Sequence, residues 1–281
     1  NTAVSTGALI LAVVMLVAVA IGYSAKVLNH FAEVKAEWNH PVRIAFFPAI
    51  SISLLWLAAG LLDLMPRVAH LFWLSATALQ GVLALSVIGA WIGHRPFQQG
   101  QLTPAWFIPA VGNVIVPLAG ARLGYMEVSW LFFSGGLIFW LVLLTLVMNR
   151  LMFHDPLPGR MVPTLMILVA PPAVAFTAWL RLTGEVGHFG HFLLSVAYVF
   201  ALLVLTQWPK FRTMPFALSW WALSFPVAAL SIASFGYAEA AGSAAHRYIG
   251  TALLVLLMAI VVGLIVRTAL AARAGTICVP E

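Results

Sequence analysis

Residues 248–266 read YIGTALLVLLMAIVVGLIV, an apolar run without a charged side chain. A helix rises 1.5 Å per residue, so about 20 such residues cross the roughly 30 Å hydrocarbon core of a bilayer. Backbone groups in hydrocarbon must be hydrogen-bonded within the protein, and a single apolar segment satisfies that condition as a helix. This stretch therefore predicts a transmembrane α-helix.

Eight further apolar stretches precede this one, and together they fill the chain. Of 281 residues, 63% are hydrophobic and 8% are charged, and the mean hydropathy is +1.04, whereas soluble domains carry about 25% charged residues. We therefore predict an all-α integral membrane protein in which residues 1–281 form a single transmembrane domain. The nine predicted spans are 3–23, 44–64, 71–92, 105–120, 128–148, 164–182, 191–208, 216–237 and 248–266.

The loops that join these spans carry an uneven distribution of charge. Of the 14 Lys and Arg residues, ten fall on one side of the membrane, and the other side holds Arg67, Arg122, Arg181 and Arg247. Such a bias places the richer side, and with it the C-terminus, in the cytoplasm. We attribute the net charge of +6 to cationic loops that flank the membrane helices, and no basic run is long enough to indicate a nucleic-acid partner.

Prolines lie within alternate spans. Proline removes a backbone donor and kinks a helix, which is tolerated in a membrane where protein or a cavity satisfies the freed groups. We therefore expect kinked helices facing an interior path and straight helices outside, as in repeated helical hairpins around a central pore. The prolines in question are Pro48 in the second span, Pro109 and Pro117 in the fourth, Pro171 and Pro172 in the sixth, and Pro226 in the eighth.

The same four spans carry neutral polar groups, and we predict that Ser51, Asn113, Thr177 and Ser224 line the path together with Pro48, Pro109, Pro171 and Pro226. Bonds between neighbouring helices are the competing interpretation of these hydroxyl and amide groups. Phe225 directly precedes Pro226, so its backbone is expected to leave the α region. A ring held there is predicted to act as a hydrophobic gate.

Catalysis, metal binding and cofactors find little support in the sequence. All eight histidines lie in loops or at span ends, and no phosphate-binding loop or zinc-binding helix motif is present. We predict no enzyme activity, no metal and no cofactor. No carboxylate lies in the middle of a span, so proton-coupled or sodium-coupled transport lacks an evident carrier.

Two motifs resemble one membrane-protein family. Residues 32–43, AEVKAEWNHPVR, followed by the Phe-Pro of the second span, resemble that family's junction between the second and third helices. Residues 221–226, WALSFP, resemble its ninth helix. The family comprises the bacterial tellurite-resistance protein TehA, the plant slow anion channels and the fungal dicarboxylate transporters.

The resemblance implies ten helices, arranged as five hairpins around a central pore, and a homotrimer with one pore per subunit. It further implies that the first helix is missing from this chain, so that one pore wall is absent, and that Phe225 matches the family's gating phenylalanine. We therefore expect a gated passive channel for small monovalent anions such as chloride or nitrate, in a bacterial inner (plasma) membrane. A secondary transporter of dicarboxylate, sulfite or tellurite-type anions is the first alternative, and a membrane scaffold or sensor the second.

Overall fold

The computed structural model describes residues 2–93 and 99–275, and every regular element within them is an α-helix or a 3₁₀ helix. The chain divides into two compact units. The first comprises Asn1–Leu102 and Ile108–Phe139, and the second comprises Thr103–Phe107 and Trp140–Glu281. His94, one of the histidines considered above, lies outside the described residues.

The first unit begins with α1 (Thr2–Asn29) and the short α2 (Phe31–Asn39). A 3₁₀ segment at Arg43–Phe46 then leads into α3 (Ala49–Leu61), and α4 (Pro66–Ile92) packs back against α3 as a hairpin. The chain continues through a 3₁₀ turn at Pro104–Trp106, α5 (Phe107–Ile115), α6 (Pro117–Gly120) and α7 (Met126–Phe153), which ends in the second unit.

The second unit contains two hairpins. Gly184 (φ +76°) ends the first helix of one hairpin and Gly242 (φ +64°) that of the other, because a left-handed residue closes a helix best when it lacks a Cβ atom. In chain order its elements are a 3₁₀ segment at Gly159–Leu168, α8 (Ala170–Thr183), α9 (Gly187–Thr206), α10 (Trp208–Arg212), a 3₁₀ segment at Leu218–Leu223, α11 (Ser224–Ala241) and α12 (Ala244–Arg273).

Within the described residues, eight helical stretches are long and apolar enough to cross a membrane, and a shorter apolar one, Pro104–Gly120, coincides with the predicted fourth span. The all-helical membrane fold is therefore confirmed. In the most apolar part of each span, 78% of the residues of Gly159–Thr183 are buried, against 11% in α12 and none in α1. The buried share does not separate the two classes throughout, because the straight α4 and the proline-containing Leu218–Ala241 are both 39% buried in this part. The arrangement of interior and peripheral spans therefore stays a prediction.

The four spans with internal prolines all change helix type partway. Each starts as a 3₁₀ segment and becomes α-helical where its prolines lie, with Pro48 immediately before α3 and Pro109, Pro171 and Pro226 in the first turns of α5, α8 and α11. The first backbone N–H groups of an α-helix have no intrahelical acceptor, so a residue without an N–H fits there. The prolines thus begin α-helices within the spans, where we had expected kinks inside continuous α-helices.

One sequence-based expectation about the backbone is wrong. Phe225 lies in the first turn of α11, inside the α-helix, although it precedes Pro226. The preference of a residue before proline for extended conformations is outweighed here by packing, because Pro226 and Val227 are buried in the helix that follows.

Candidate functional site

A buried amide in the first unit connects three of the predicted path-lining positions. Gln80 of α4 donates from Nε2 to the Pro109 carbonyl oxygen (3.1 Å) and to Asn113 Oδ1 (3.2 Å). The Ser51 hydroxyl lies 2.7 Å from Gln80 Oε1 and 2.9 Å from the Pro48 carbonyl oxygen, so its single proton is shared between two acceptors. We call Ser51, Gln80 and Asn113 the amide cluster.

At the amide cluster, α3, α4 and α5 approach one another closely. Gln80 and Ser51 are fully buried and Asn113 is 8% exposed. A Cβ atom at Gly112 would lie 2.5 Å from Gln80 Nε2, so glycine is what admits the amide to α5. The polar groups of Ser51 and Asn113 therefore serve contacts between helices, which was the competing interpretation of these residues.

Gln80 was not among the predicted site residues, because these came from the proline-containing spans and Gln80 lies on an unbroken helix. The signal that would have found it is a single amide midway along an apolar helix of 27 residues, since such a group needs partners in hydrocarbon. A second residue of α4 also donates a hydrogen bond to the backbone near a proline. Trp73 donates from Nε1 to the Val116 carbonyl oxygen (2.9 Å), next to Pro117.

Near Phe225, in the second unit, side-chain hydrogen bonds are made by Ser224 and Trp221. The Ser224 hydroxyl donates to the Trp221 carbonyl oxygen (2.7 Å), three residues earlier in the same span. Trp221 donates in turn from Nε1 to Thr268 Oγ1 on α12 (3.0 Å), which holds the 3₁₀ segment in place. Phe225 itself is 37% exposed, although the next two residues are buried. Its ring is thus on an open face of the helix at the point where the helix type changes.

The proline pair of α8 lies in the most buried span. Pro171 and Pro172 are buried, and Thr177 is half-buried and donates from its hydroxyl to the Ala173 carbonyl oxygen (3.1 Å) one turn earlier. Such a back-bond satisfies the hydroxyl within its own helix and often bends the helix slightly.

Arg150, in the last turn of α7, is a buried cation that sequence reasoning assigned to a loop. It is 3% exposed, and its guanidinium donates to the main-chain carbonyl of Asp155. Neither of the two ion pairs found among the described residues involves it. The apolar pattern continues past Arg150 to Phe153, and this continuation could have indicated that the side chain is covered.

The first unit contains an ion pair between Arg122 and Asp63. Arg122 Nη2 lies 2.5 Å from Asp63 Oδ1, and this hydrogen bond raises the pKa of the Arg122 guanidinium above its ordinary value. Both side chains are substantially exposed, so the pair contributes little to stability. Within the described ranges, no three His, Cys, Asp or Glu side chains are grouped closely enough to hold a metal ion.

Comparisons with known proteins agree with the two motifs. Residues 1–269 match the sequence profile of a family described as voltage-dependent anion channel. The chain is 30% identical over 270 residues to the S-type anion channel SLAH3 of Arabidopsis thaliana, covering 94% of this chain and 42% of that protein. It is 26% identical over 262 residues to the guard cell S-type anion channel SLAC1 of the same plant, with 92% and 47% covered.

A bacterial protein is also similar. The tellurite resistance protein TehA homolog of Haemophilus influenzae is 28% identical over 212 residues, which cover 74% of this chain and 64% of that protein. The chain spans less than half the length of the plant relatives cited here.

Proposed function

The chain belongs to the voltage-dependent anion channel family, and from this premise we propose that it conducts small monovalent anions, such as chloride or nitrate, passively across a membrane. The observation that carries the passive mechanism is the identity of the buried polar residues. Among the described residues they are hydroxyls, neutral amides and Arg150, with no carboxylate. Coupling to protons usually relies on a buried acidic group, so a described interior without one favours passive conduction.

The changes of helix type favour anions as well. The α-helices α3, α5, α8 and α11 begin within their spans, and the N-terminal end of an α-helix carries a partial positive charge. Because a preceding 3₁₀ turn already occupies some of the N–H groups there, the attraction is weak. A weak attraction suits conduction, which requires that ions leave as readily as they enter.

We further propose that Phe225 is the gate and that the path is lined by Pro48, Ser51, Pro109, Asn113, Pro171, Thr177, Ser224 and Pro226. Support for the gate is strongest, because Phe225 combines the family motif with an exposed ring at a change of helix type. Ser51 and Asn113 are engaged in the amide cluster, so their backbones and not their side-chain donors are the parts that would shape the path.

The test is anion current under voltage clamp, comparing wild type with Phe225→Ala. Removal of the ring should raise chloride conductance at least several-fold, because it clears a hydrophobic constriction, and the current should reverse near the chloride equilibrium potential. Phe192→Ala is the matched control, since Phe192 is an exposed phenylalanine on α9 of the same unit. Equal currents from all three proteins at equal expression would remove Phe225 from the gate.

The rival mechanism, a secondary carrier, has its own signature in the same membranes. It predicts uptake that saturates with substrate and follows an imposed pH gradient, in the absence of channel current. Such a result would overturn the proposal of passive conduction.

We also propose that the protein is a homotrimer in a plasma membrane with its C-terminus in the cytoplasm, as the resemblance and the loop charges predict. Support for the orientation is the ten-to-four division of the Lys and Arg residues. Labelling of single cysteines in the loops from one side of the membrane, with the native cysteine replaced, tests the orientation. The mass of the purified complex tests the trimer.

A further inference from the structure

A large apolar groove lies within the second unit, and Phe225 is not among the residues that line it. Its volume is about 1350 Å³, beyond the roughly 300–1,000 Å³ of pockets that hold drug-sized ligands. Leu202 and Leu205 of α9 form one wall, and Leu230 of α11 lies at its base. The other wall is one face of α12, which contributes Ile249, Leu253, Leu256, Ile260, Gly263 and Arg267.

The length and the openness of the groove suit a long flexible molecule. The wall from Ile249 to Arg267 extends about 27 Å at 1.5 Å per residue, close to the roughly 30 Å of a bilayer's hydrocarbon core. Leu202 is 63% exposed and Leu256 is 49% exposed, so the groove is open along its side. A Cβ atom at Gly263 would meet nothing within 4 Å.

One end of the groove is positively charged. Arg212, at the end of α10, and Arg267, near the end of α12, both belong to its lining, which contains no carboxylate. The two ion pairs among the described residues are Lys26–Glu37 and Arg122–Asp63, so no described acidic group within 4 Å neutralises either arginine.

Aromatic residues surround the charged end. Trp208 and Trp220 line it, and the Trp220 ring packs edge-on against Phe211 at 6.2 Å between centroids. Tryptophan is enriched where a membrane protein meets the headgroup layer. The groove therefore has an apolar trough that matches the acyl chains of a phospholipid and a basic, tryptophan-rich end that matches its phosphate.

We propose that this groove binds one anionic phospholipid, with the phosphate between Arg212 and Arg267 and the acyl chains along α9 and α12. Basic pockets between transmembrane helices are recognised sites for anionic headgroups. A second copy of the chain is a poorer occupant, because each copy carries a net charge of +6 and only eight acidic residues to offer the arginines.

The first test measures dissociation constants for palmitoyl-oleoyl phosphatidylglycerol and for palmitoyl-oleoyl phosphatidylcholine, by native mass spectrometry of the purified full chain. Wild type should prefer the anionic lipid, and the preference should fall about fivefold for each of Arg212→Gln and Arg267→Gln. Arg181→Gln and Arg247→Gln are the matched controls, since both arginines belong to the same unit but not to the groove. Equal affinity of wild type for both lipids, or a preference unchanged in the double variant, would overturn the proposal.

The second test fills the trough. Gly263→Phe places a ring in open space, so the fold should survive while both lipids bind at least tenfold more weakly. Gly22→Phe, at a position on α1 that is equally free of neighbours, should leave lipid binding unchanged. If Gly263→Phe instead alters the oligomeric mass and leaves lipid binding intact, the groove is an interface between copies of the chain and the lipid proposal is wrong. Neither readout depends on anion conduction.

Discussion

The two units both begin α-helices at prolines within a span, but they hold these junctions by different means. In the first unit the bonds come from a neighbouring unbroken helix, since Gln80 and Trp73 of α4 reach the carbonyl groups at Pro109 and Val116. In the second unit the hydroxyls of Ser224 and Thr177 bond within their own spans. Bonds to other elements come there from the 3₁₀ segment before α11, where Trp221 donates to Thr268 and Ser219 donates to the Arg160 carbonyl oxygen.

This difference determines which junction can move. A junction bonded to another helix cannot rotate without breaking those bonds, whereas local bonds travel with the segment that makes them. The 3₁₀ segment before Phe225 can therefore move only if its bonds to Thr268 and Arg160 break. The amide cluster, whose three residues bond to one another across helices, is the more fixed of the two junctions. The expected effects of substitutions on the two regions differ accordingly.

The largest effect is expected from Gly112→Ala. The added Cβ would lie 2.5 Å from Gln80 Nε2 and 2.8 Å from its Oε1, and overpacking of this kind costs about 1–3 kcal/mol in the free energy of unfolding, in addition to bonds lost from the cluster. Titration with sodium dodecyl sulfate, followed by tryptophan fluorescence, measures it.

Gly236→Ala in the second unit is the control for this substitution. Its Cβ would meet the end of a flexible side chain, Leu180 Cδ1, at 3.1 Å, and Phe176 Cε1 at an ordinary contact distance of 4.0 Å. Replacing a helical glycine by alanine gains up to about 1 kcal/mol in helix propensity, so this variant should be neutral or stabilised. If both variants behave alike, the amide cluster is no more constrained than the second unit.

A smaller loss is expected from Gln80→Leu. The change keeps the size of the side chain and removes three hydrogen bonds, each worth about 0.6 kcal/mol on average between membrane helices, so unfolding should become easier by about 2 kcal/mol. Gln207→Leu is the matched substitution in the second unit, where the amide bonds only to the adjacent Thr206, and its effect should lie within about 0.5 kcal/mol. If Gln207→Leu lowers the free energy of unfolding as much as Gln80→Leu does, the hydrogen bonds of the amide cluster are not the cause of the destabilisation.

The smallest effect is expected from Ser224→Ala, and it separates stability from function. The Trp221 carbonyl keeps the backbone N–H of Ser224 as a donor, so the free energy of unfolding should change by less than about 0.5 kcal/mol. Ser51→Ala, in the cluster, should cost more. If Ser224 lines the anion path, the chloride conductance of Ser224→Ala will change at unchanged stability, and unchanged conductance would remove Ser224 from the path.

The pattern of interrupted and continuous spans could be predicted from the positions of the prolines, because the missing N–H of proline acts wherever the residue lies. The form of the interruption could not. A run of 3₁₀ helix from Gly159 to Leu168 is longer than the three or four residues usual for this conformation, and its stability comes from burial by neighbours that a local pattern does not reveal.

The residues of the site divide along the same line. Phe225 could be proposed from a six-residue motif, since its neighbours along the chain define it. The role of Ser51 and Asn113 could not be decided, because the group that determines it, Gln80, is distant in sequence and lies on a helix that has no internal proline. Polar residues in a span need the identity of their partner before they can be assigned to a path or to packing.

The alternation of helix types also bears on how the chain assembles during synthesis. A continuous helix such as α12 satisfies its own backbone, so it is stable in lipid as soon as it is inserted. The spans that contain long 3₁₀ stretches depend on neighbours, and Gly159–Thr183, the most buried of them, depends on them most. We expect the continuous helices to insert and fold first, and the interrupted spans to reach their final conformation later, by packing against them. Failures of biogenesis should therefore arise at the interrupted spans.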